Sequence, residues 1–223
     1  RAMALEIIRI GVPAGLQGMA FSLSNVVVQS SINSFDSSVI VAGNSASNNI
    51  ENFVYIGMSA FTQACITFTS QNVGAQNLKR VKSIFNHSMV LTTLSAMLMG
   101  FLVWFFGESL LAFYTSDPAV VEAGMLRLFW VSMFLFLNGI LDVFVSSLRG
   151  MGYSSLPTIV MLVGICGVRL LWLLLIFPMH RTLTTIYLCF PLSWTVTSIV
   201  LGFIWLYCYR HMLRTNGQQA QNA

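Results

Sequence analysis

Charged residues are scarce in this sequence. Asp, Glu, Lys and Arg together make up 8% of its 223 residues, whereas soluble domains carry about 25%. Hydrophobic residues make up 56%, and the mean hydropathy is +0.77. So few charges cannot cover the surface of a water-soluble domain. The sequence therefore predicts an integral membrane protein.

Clusters of reactive or metal-binding side chains are also missing. The three histidines lie near the ends of separate apolar stretches, and no Ser/His, paired-Asp or HExxH signature falls within one. The cysteines lie inside apolar stretches without CxxC spacing, which is typical of small packing residues: Cys65, Cys166, Cys189 and Cys208. We therefore predict no enzyme activity, no metal cluster and no cofactor.

Two further classes are excluded by pattern. The net charge is +4, but the cations stand between apolar stretches rather than on one face, so we predict no nucleic-acid binding. The first apolar stretch is rich in glycine and polar residues without a cleavage signature, so it is not a signal peptide. Because the chain begins with Arg1, we expect it to be a piece of a longer protein.

What the sequence does contain is a series of long apolar runs. A helix needs about 20 residues to cross the hydrocarbon layer, and continuous runs of that length favour helices over the short alternating strands of a barrel. We therefore predict an all-α integral membrane protein with a six-transmembrane-helix bundle. Its spans are 8–33, 51–73, 84–106, 124–148, 156–177 and 185–209. The polar 34–49 connection is expected to be a capped, partly ordered turn.

The distribution of basic residues predicts the orientation. Cytoplasmic loops carry an excess of Lys and Arg, and all but three of the cations fall on one side of the predicted spans. Arg181 lies in an opposite loop, Arg127 near a helix end where it would snorkel, and Arg169 within a span. Both termini are therefore predicted to be cytoplasmic.

The first span carries small and polar residues on one helical face. They recur at steps of 4, 3, 4, 3 and 4, the spacing of one face of a helix: Gly11, Gly15, Gly18, Ser22, Asn25 and Gln29. The glycines favour a helix-packing seam. Amides facing lipid would be costly, so we predict that Asn25 and Gln29 face a neighbouring helix or a wet cavity.

Acidic residues mark two further positions. Glu51 begins the second predicted span, with Tyr55 one turn on, and it is either a capping charge or an ion or substrate contact. Asn138 and Asp142 share one face of the fourth span at i, i+4 spacing. A carboxylate this deep in a membrane must be paired, protonated or hydrated, so Asp142 is a functional candidate. Arg169 is a candidate for a structural ion pair, for example with Asp142.

Five short motifs in order resemble those of MATE (multidrug and toxic compound extrusion) transporters. They are Gly11-Val-Pro-Ala-Gly-Leu-Gln17, Val41-Ala-Gly-Asn44, Asn49-Ile-Glu51, Ser70-Gln-Asn-Val-Gly-Ala75 and Leu148-Arg-Gly-Met-Gly152. Each is weak alone, but together they cover most of the chain. The resemblance implies a twelve-helix protein of two six-helix lobes. Residues 1–214 would be the second lobe, helices 7–12, and 215–223 a disordered cytoplasmic tail.

The resemblance also implies a function. Family members export amphipathic, often cationic, compounds by alternating access, driven by Na⁺ or H⁺. Asp142 matches a cation-binding position on the tenth helix of some members and could hold Na⁺. The acid on the seventh helix of some members has no counterpart here, where Gln17, Asn25 and Gln29 lie; Glu51 is the nearest substitute. The expected partners are the lipid bilayer of the plasma (inner) membrane, the missing N-terminal lobe and small amphipathic or cationic substrates.

Two other functions fit parts of the same pattern. A lipid-linked glycan flippase of the same superfamily would need a large cationic cavity for phosphates, for which the sequence offers only Arg169 in mid-span. A half-size protein working as a homodimer, or a membrane scaffold without transport, would need no missing lobe.

Overall fold

The computed structural model describes the backbone of residues 2–221 and the side chains of 11–215, except positions 13, 14, 17 and 20. All regular elements in this part of the chain are helical. They are α1 (Ala2–Asn33), α2 (Ser38–Gly74), α3 (Leu78–Phe105), α4 (Gly107–Ala112), α5 (Pro118–Ser132), α6 (Leu135–Gly150), α7 (Ser155–Met161), a π-helical segment (Leu162–Gly167), α8 (Val168–Leu175) and α9 (Leu183–Gln221).

These elements form six long rods. Three are the single helices α1, α2 and α3, one joins α5 to α6, one joins α7, the π-helical segment and α8, and the last is α9. Four stretches of the described residues are long and apolar enough to cross a membrane: Leu78–Phe105, Pro118–Gly150, Ser155–Leu175 and Leu183–Thr215. The predicted six-helix bundle is confirmed. The polar residues of α2, several of them buried, lower its apolar content.

The second helix begins earlier than predicted. The 34–49 connection was expected to be a turn, but α2 starts at Ser38, where the Ser37 hydroxyl accepts a hydrogen bond from the Ile40 amide. The prediction is wrong because the polar residues of this stretch face inward rather than marking a loop. Asn44 and Ser47 are buried, and the Ser47 hydroxyl donates to the Gly124 carbonyl of α5 at 2.9 Å.

The other predicted turns agree with the structure. Asp117 caps α5 by accepting from the Ala119 amide at 2.9 Å, with Pro118 in the first turn. The turn after α6 places Gly152 at φ 93°, which favours glycine. At the other end, α9 continues to Gln221, past the start of the predicted tail at 215. The disorder of that tail stays a prediction.

Close helix contacts rest on other glycines than those predicted. A Cβ at Gly11, Gly15 or Gly18 would meet nothing within 4 Å, so these residues form no packing seam within the described part of the lobe. By contrast, a Cβ at Gly100 of α3 would collide with the Ser132 carbonyl oxygen, and one at Gly43 of α2 would meet the backbone of α5 at 2.7 Å. Within the described residues no helix packs against the glycine face of α1, so the seam stays a prediction.

The outward surface of the bundle is apolar. Large hydrophobic side chains stand exposed along most rods, for example Phe53 (70%), Phe101 (46%) and Phe203 (70%). Such a surface suits lipid rather than water. Inside, Trp205 of α9 stacks on Phe85 of α3 at 4.0 Å between ring centroids and donates to Ser147 of α6 at 2.8 Å. These contacts hold three rods together behind the site.

Candidate functional site: a polar cavity between the helices

A cavity of about 980 Å³ opens between the rods. Residues of α1, α2, α5, α6, α8 and α9 line it, so it is built by most of the lobe rather than by one helix pair. Six of the seven predicted site residues lie on its wall: Asn25, Gln29, Glu51, Tyr55, Asn138 and Asp142. The side chain of the seventh, Gln17, lies outside the described residues.

A buried ion pair joins α2 to α5 at this wall. The Arg127 Nε donates to Glu51 Oε1 at 3.0 Å, and its Nη2 donates to Oε2 at 2.7 Å. Both residues are buried, Arg127 at 5% and Glu51 at 7% exposure. Two parallel bonds between a guanidinium and a carboxylate give the strongest geometry that this pair can adopt.

This pair corrects two predictions. Glu51 lies well inside α2 rather than at its start, so the capping interpretation is wrong. Arg127 does not snorkel to the membrane surface, because Glu51 neutralises its charge inside the bundle. The sequence held a usable signal: the Asp117-Pro118 helix start puts Arg127 nine residues into α5, which is about 14 Å along the helix.

Amide side chains extend the ion pair into a network. The carboxamide oxygens of Asn44 and Asn48 accept from the Arg127 guanidinium. Asn44 Nδ2 in turn donates to Gln29 Oε1 at 2.9 Å, and Gln29 Nε2 donates to Asn33 Oδ1 at 2.9 Å. The network therefore links α1, α2 and α5. Sequence analysis identified Gln29 and Glu51 but missed Asn44 and Asn48, because they fell in the supposed turn.

A second polar group surrounds Asp142 on α6. Asn138 Nδ2 donates to Asp142 Oδ2 at 3.2 Å, which follows from their i, i+4 spacing on one helix face. Arg149 and Tyr55 lie within electrostatic range of the same carboxylate. Asp142 is half-buried and lines the cavity, so its second oxygen can meet water or a cation there. Carboxylate and amide oxygens are ligands that hard cations accept.

Arg169 on α8 forms the third polar group. It is 3% exposed, its Nε donates to the Ser193 hydroxyl at 3.2 Å, and its Nη1 donates to Asn25 Oδ1 at 3.2 Å. Its guanidinium carbon lies 4.4 Å from the centroid of the Phe190 ring, a cation–π contact. Among the described residues no carboxylate contacts Arg169, so the predicted ion pair with Asp142 is absent there. Arg127 holds the bundle's bidentate ion pair instead.

Comparison with known proteins places this fold and cavity in a family. A protein-family model described as MatE matches residues 13–174, most of the chain. The probable multidrug resistance protein NorM of Thermotoga maritima is 26% identical over 165 residues, which cover 74% of this chain and 35% of that protein. The FAD transporter of Shewanella oneidensis is 25% identical over 135 residues, which cover 60% and 28%.

Solved structures give the same fold. A crystal structure of MATE in complex with MaL6 has a TM-score of 0.84 at 15% identity and covers 96% of this chain and 48% of its own. The Vibrio cholerae MATE transporter VcmN in its bent form has a TM-score of 0.77 at 20% identity, with the same two coverages. The chain thus spans about half the length of these transporters.

Six membrane-type rods around a polar cavity form one lobe of the multi-pass fold that the MATE transporters share, and the matched family is a transporter family rather than an enzyme family. The chain belongs to the MatE family.

Proposed function

We propose that this chain is the second lobe of a transporter that exports small amphipathic compounds, including organic cations, in exchange for inward movement of Na⁺ or H⁺. The cavity carries the proposal, because polar and ionisable side chains from separate rods converge on one space within an apolar bundle. Such residues are costly in a membrane unless they border water or a ligand. The multidrug resistance names of several relatives support the same activity.

Asp142 is the proposed coupling site. Its carboxylate lies beside Asn138 at the cavity wall and would take either Na⁺ or a proton from the outer side. Binding of that cation drives the cycle only if the outward-open and inward-open states hold it with different affinity. Glu51 is not proposed to bind the cation or the substrate directly, because both of its carboxylate oxygens accept hydrogen bonds from Arg127.

The experiment is efflux of ethidium, a flat organic cation, from proteoliposomes holding the intact transporter, with an imposed Na⁺ or pH gradient. We expect Asp142→Asn to reduce gradient-driven efflux at least about fivefold, the low end of coupling between two linked sites. Glu122→Gln is the matched control, because Glu122 is exposed and lies outside the cavity wall. Unchanged efflux and unchanged gradient dependence in Asp142→Asn would exclude the proposed role.

The open side of the cavity is proposed to face another six-helix lobe in the plasma (inner) membrane, with both termini of this chain in the cytoplasm. The length of the solved relatives, about twice that of this chain, supports a second lobe. A second copy of this chain is the alternative occupant. The mass of the purified protein in detergent distinguishes these alternatives. A homodimer of half-size chains has twice the mass encoded by its reading frame, whereas a single chain that contains both lobes has the mass encoded by its own.

A further inference from the structure

We propose that the start of α3 and the end of α9 together form a binding site for the headgroups of anionic phospholipids. Five cations make up this site, called the basic patch below: Lys79, Arg80, Lys82, Arg210 and Arg214. None of them lines the central cavity, and lipid binding at the basic patch does not depend on the proposed transport activity.

Side-chain contacts bring the two helix ends together. The Tyr209 hydroxyl of α9 donates to the Leu78 carbonyl of α3 at 3.4 Å. One turn deeper in the bundle, Trp205 of α9 stacks on Phe85 of α3. In each helix the residue that follows the hydrogen bond belongs to the basic patch. The cations of both helices therefore gather at one end of one helix pair.

The basic patch carries positive charge that its own helices do not balance. All five side chains are exposed, and none contacts a carboxylate among the described residues. The sequence has no Asp or Glu over 52–107 or over 143–223, so neither α3 nor α9 contains one. Clusters of about four to eight Lys and Arg beside a membrane helix attract anionic lipid headgroups. The charge therefore favours an anionic partner.

On α9 the cations continue a face that suits the bilayer. Phe203, Tyr207, Arg210 and Arg214 follow one another at i, i+4, i+7 and i+11, the spacing of one helix face, and all four are exposed. Tyrosine is typical of the headgroup level of a membrane. Arg210 lies three residues beyond Tyr207, which is about 4.5 Å along the helix. Its guanidinium can therefore reach the lipid phosphates.

The start of α3 combines cations and apolar residues in the same way. Lys79 and Lys82 share one helix face with Val90 and Met97, at i, i+3, i+11 and i+18, and both apolar side chains are exposed. A phospholipid matches both parts of this face, with its acyl chain against the apolar residues and its phosphate at the lysines. A soluble acidic protein would match the lysines alone.

Native mass spectrometry of the intact transporter in detergent tests the site, with phosphatidylglycerol and phosphatidylcholine of identical acyl chains as the probes. Both lipids carry a phosphate, but the choline group cancels its charge. We expect phosphatidylglycerol to bind at least about fivefold more tightly, the effect of one cation beside an anionic lipid. Equal binding of the two lipids to the unmodified protein would overturn the proposal; it is the result expected if another segment of the intact protein covers the basic patch.

Two double variants test whether both helices contribute. Arg210→Gln with Arg214→Gln should lower phosphatidylglycerol binding at least about fivefold and leave phosphatidylcholine binding within about twofold. Lys79→Gln with Lys82→Gln should do the same. If only one of the two double variants has this effect, the site shared by α3 and α9 is wrong. If a double variant weakens both lipids equally, its cations support the fold rather than a headgroup, and the proposal is likewise wrong.

Two further variants separate charge from other effects. Arg210→Lys with Arg214→Lys keeps both charges, so phosphatidylglycerol binding should stay within about twofold of the unmodified protein; a loss as large as in the glutamine variant would exclude recognition by charge. Arg181→Gln removes an exposed cation at the other end of α9 and should change nothing. A comparable loss there would mean that cations anywhere on the protein attract this lipid, and the basic patch would not be a site.

Competition identifies the occupant. Glycerophosphoglycerol has the headgroup of phosphatidylglycerol without its acyl chains, and we expect no displacement of the lipid at equal concentration. If displacement occurs, the basic patch binds soluble phosphates and the phospholipid is wrong. Displacement by an equal concentration of a polyglutamate peptide would instead assign the basic patch to an acidic protein partner and overturn the proposal in the same way.

Discussion

Arg127 and Glu51 neutralise each other in a part of the bundle where neither could stay charged alone. Their two hydrogen bonds, at 3.0 and 2.7 Å, join α5 to α2, and Asn44 and Asn48 occupy further donors of the guanidinium. Removing one partner would leave the other charge buried without compensation. That asymmetry makes the pair a test of the packing between these helices.

Glu51→Gln should destabilise the protein by about 3–5 kcal/mol, the usual cost of breaking a buried ion pair from one side. Unfolding of the purified protein in detergent, followed by temperature or denaturant, measures the change. Glu108→Gln is the control, since Glu108 is exposed at the start of α4 and should shift stability by less than about 0.5 kcal/mol. Equal stability of the Glu51 variant and wild type would show that the pair is open in the membrane protein.

The sequence was sufficient for much of the site at this scale. Polar side chains on one face of an apolar helix are costly against lipid, so they must face another helix or a cavity. This reasoning identified Asn25, Gln29, Asn138 and Asp142. The partner of Arg127 could not be found in this way. Glu51 and Arg127 are 76 positions apart, so their contact depends on how α2 packs against α5. The spacing of charges along one helix does not predict that packing.

At the scale of single elements, α2 differs most from its prediction. Residues 38–49 are less apolar than the rest of α2, so a prediction based on hydropathy starts the helix only after them. The backbone nonetheless stays helical, because Asn44 and Ser47 find partners on α1 and α5. Tertiary hydrogen bonds replaced the apolar contacts that the prediction required. The π-helical segment before Arg169 was missed for a related reason, since no residue type in Leu162–Gly167 marks a wider turn.

Proline substitution tests the helical start of α2. Ser45→Pro should cost about 3 kcal/mol, because a proline in the helix interior removes a hydrogen bond and clashes with the preceding turn. Ser38→Pro places the same residue at the first helical position, where it is tolerated. Both serines are exposed, so loss of buried contacts does not explain a difference. The melting temperatures of the two variants are compared. Equal values would mean that residues 38–49 form a turn rather than helix.

Gly100 tests the close approach of α3 to the break between α5 and α6. Glycine to alanine in a helix normally stabilises by up to about 1 kcal/mol, but a Cβ at Gly100 would collide with the Ser132 carbonyl. Gly100→Ala should therefore lower the melting temperature. Gly74→Ala, at the end of α2 with nothing within 4 Å, should leave it unchanged or raise it. A stable Gly100→Ala protein would mean that the two rods stand farther apart.

For the whole molecule, the orientation in the membrane is a prediction from the basic residues. Single cysteines in a background with the four native cysteines changed to serine make it measurable. Ser116→Cys, in the turn before α5, should react with a membrane-impermeant maleimide in intact cells. Asn77→Cys, in the turn before α3, should react only after permeabilisation. The reverse pattern would invert the orientation of the lobe, and equal labelling would place both turns on one side.

The cavity also constrains how this lobe can exist in a bilayer. Acyl chains offer no hydrogen bonds, so they cannot lie against the guanidinium, carboxylate and amide groups that line its wall. Water or additional helices must fill the groove at every moment of the protein's life. A lobe of six rods made without its partner would therefore associate with other helices in the membrane, and other copies of the same lobe are the nearest of these.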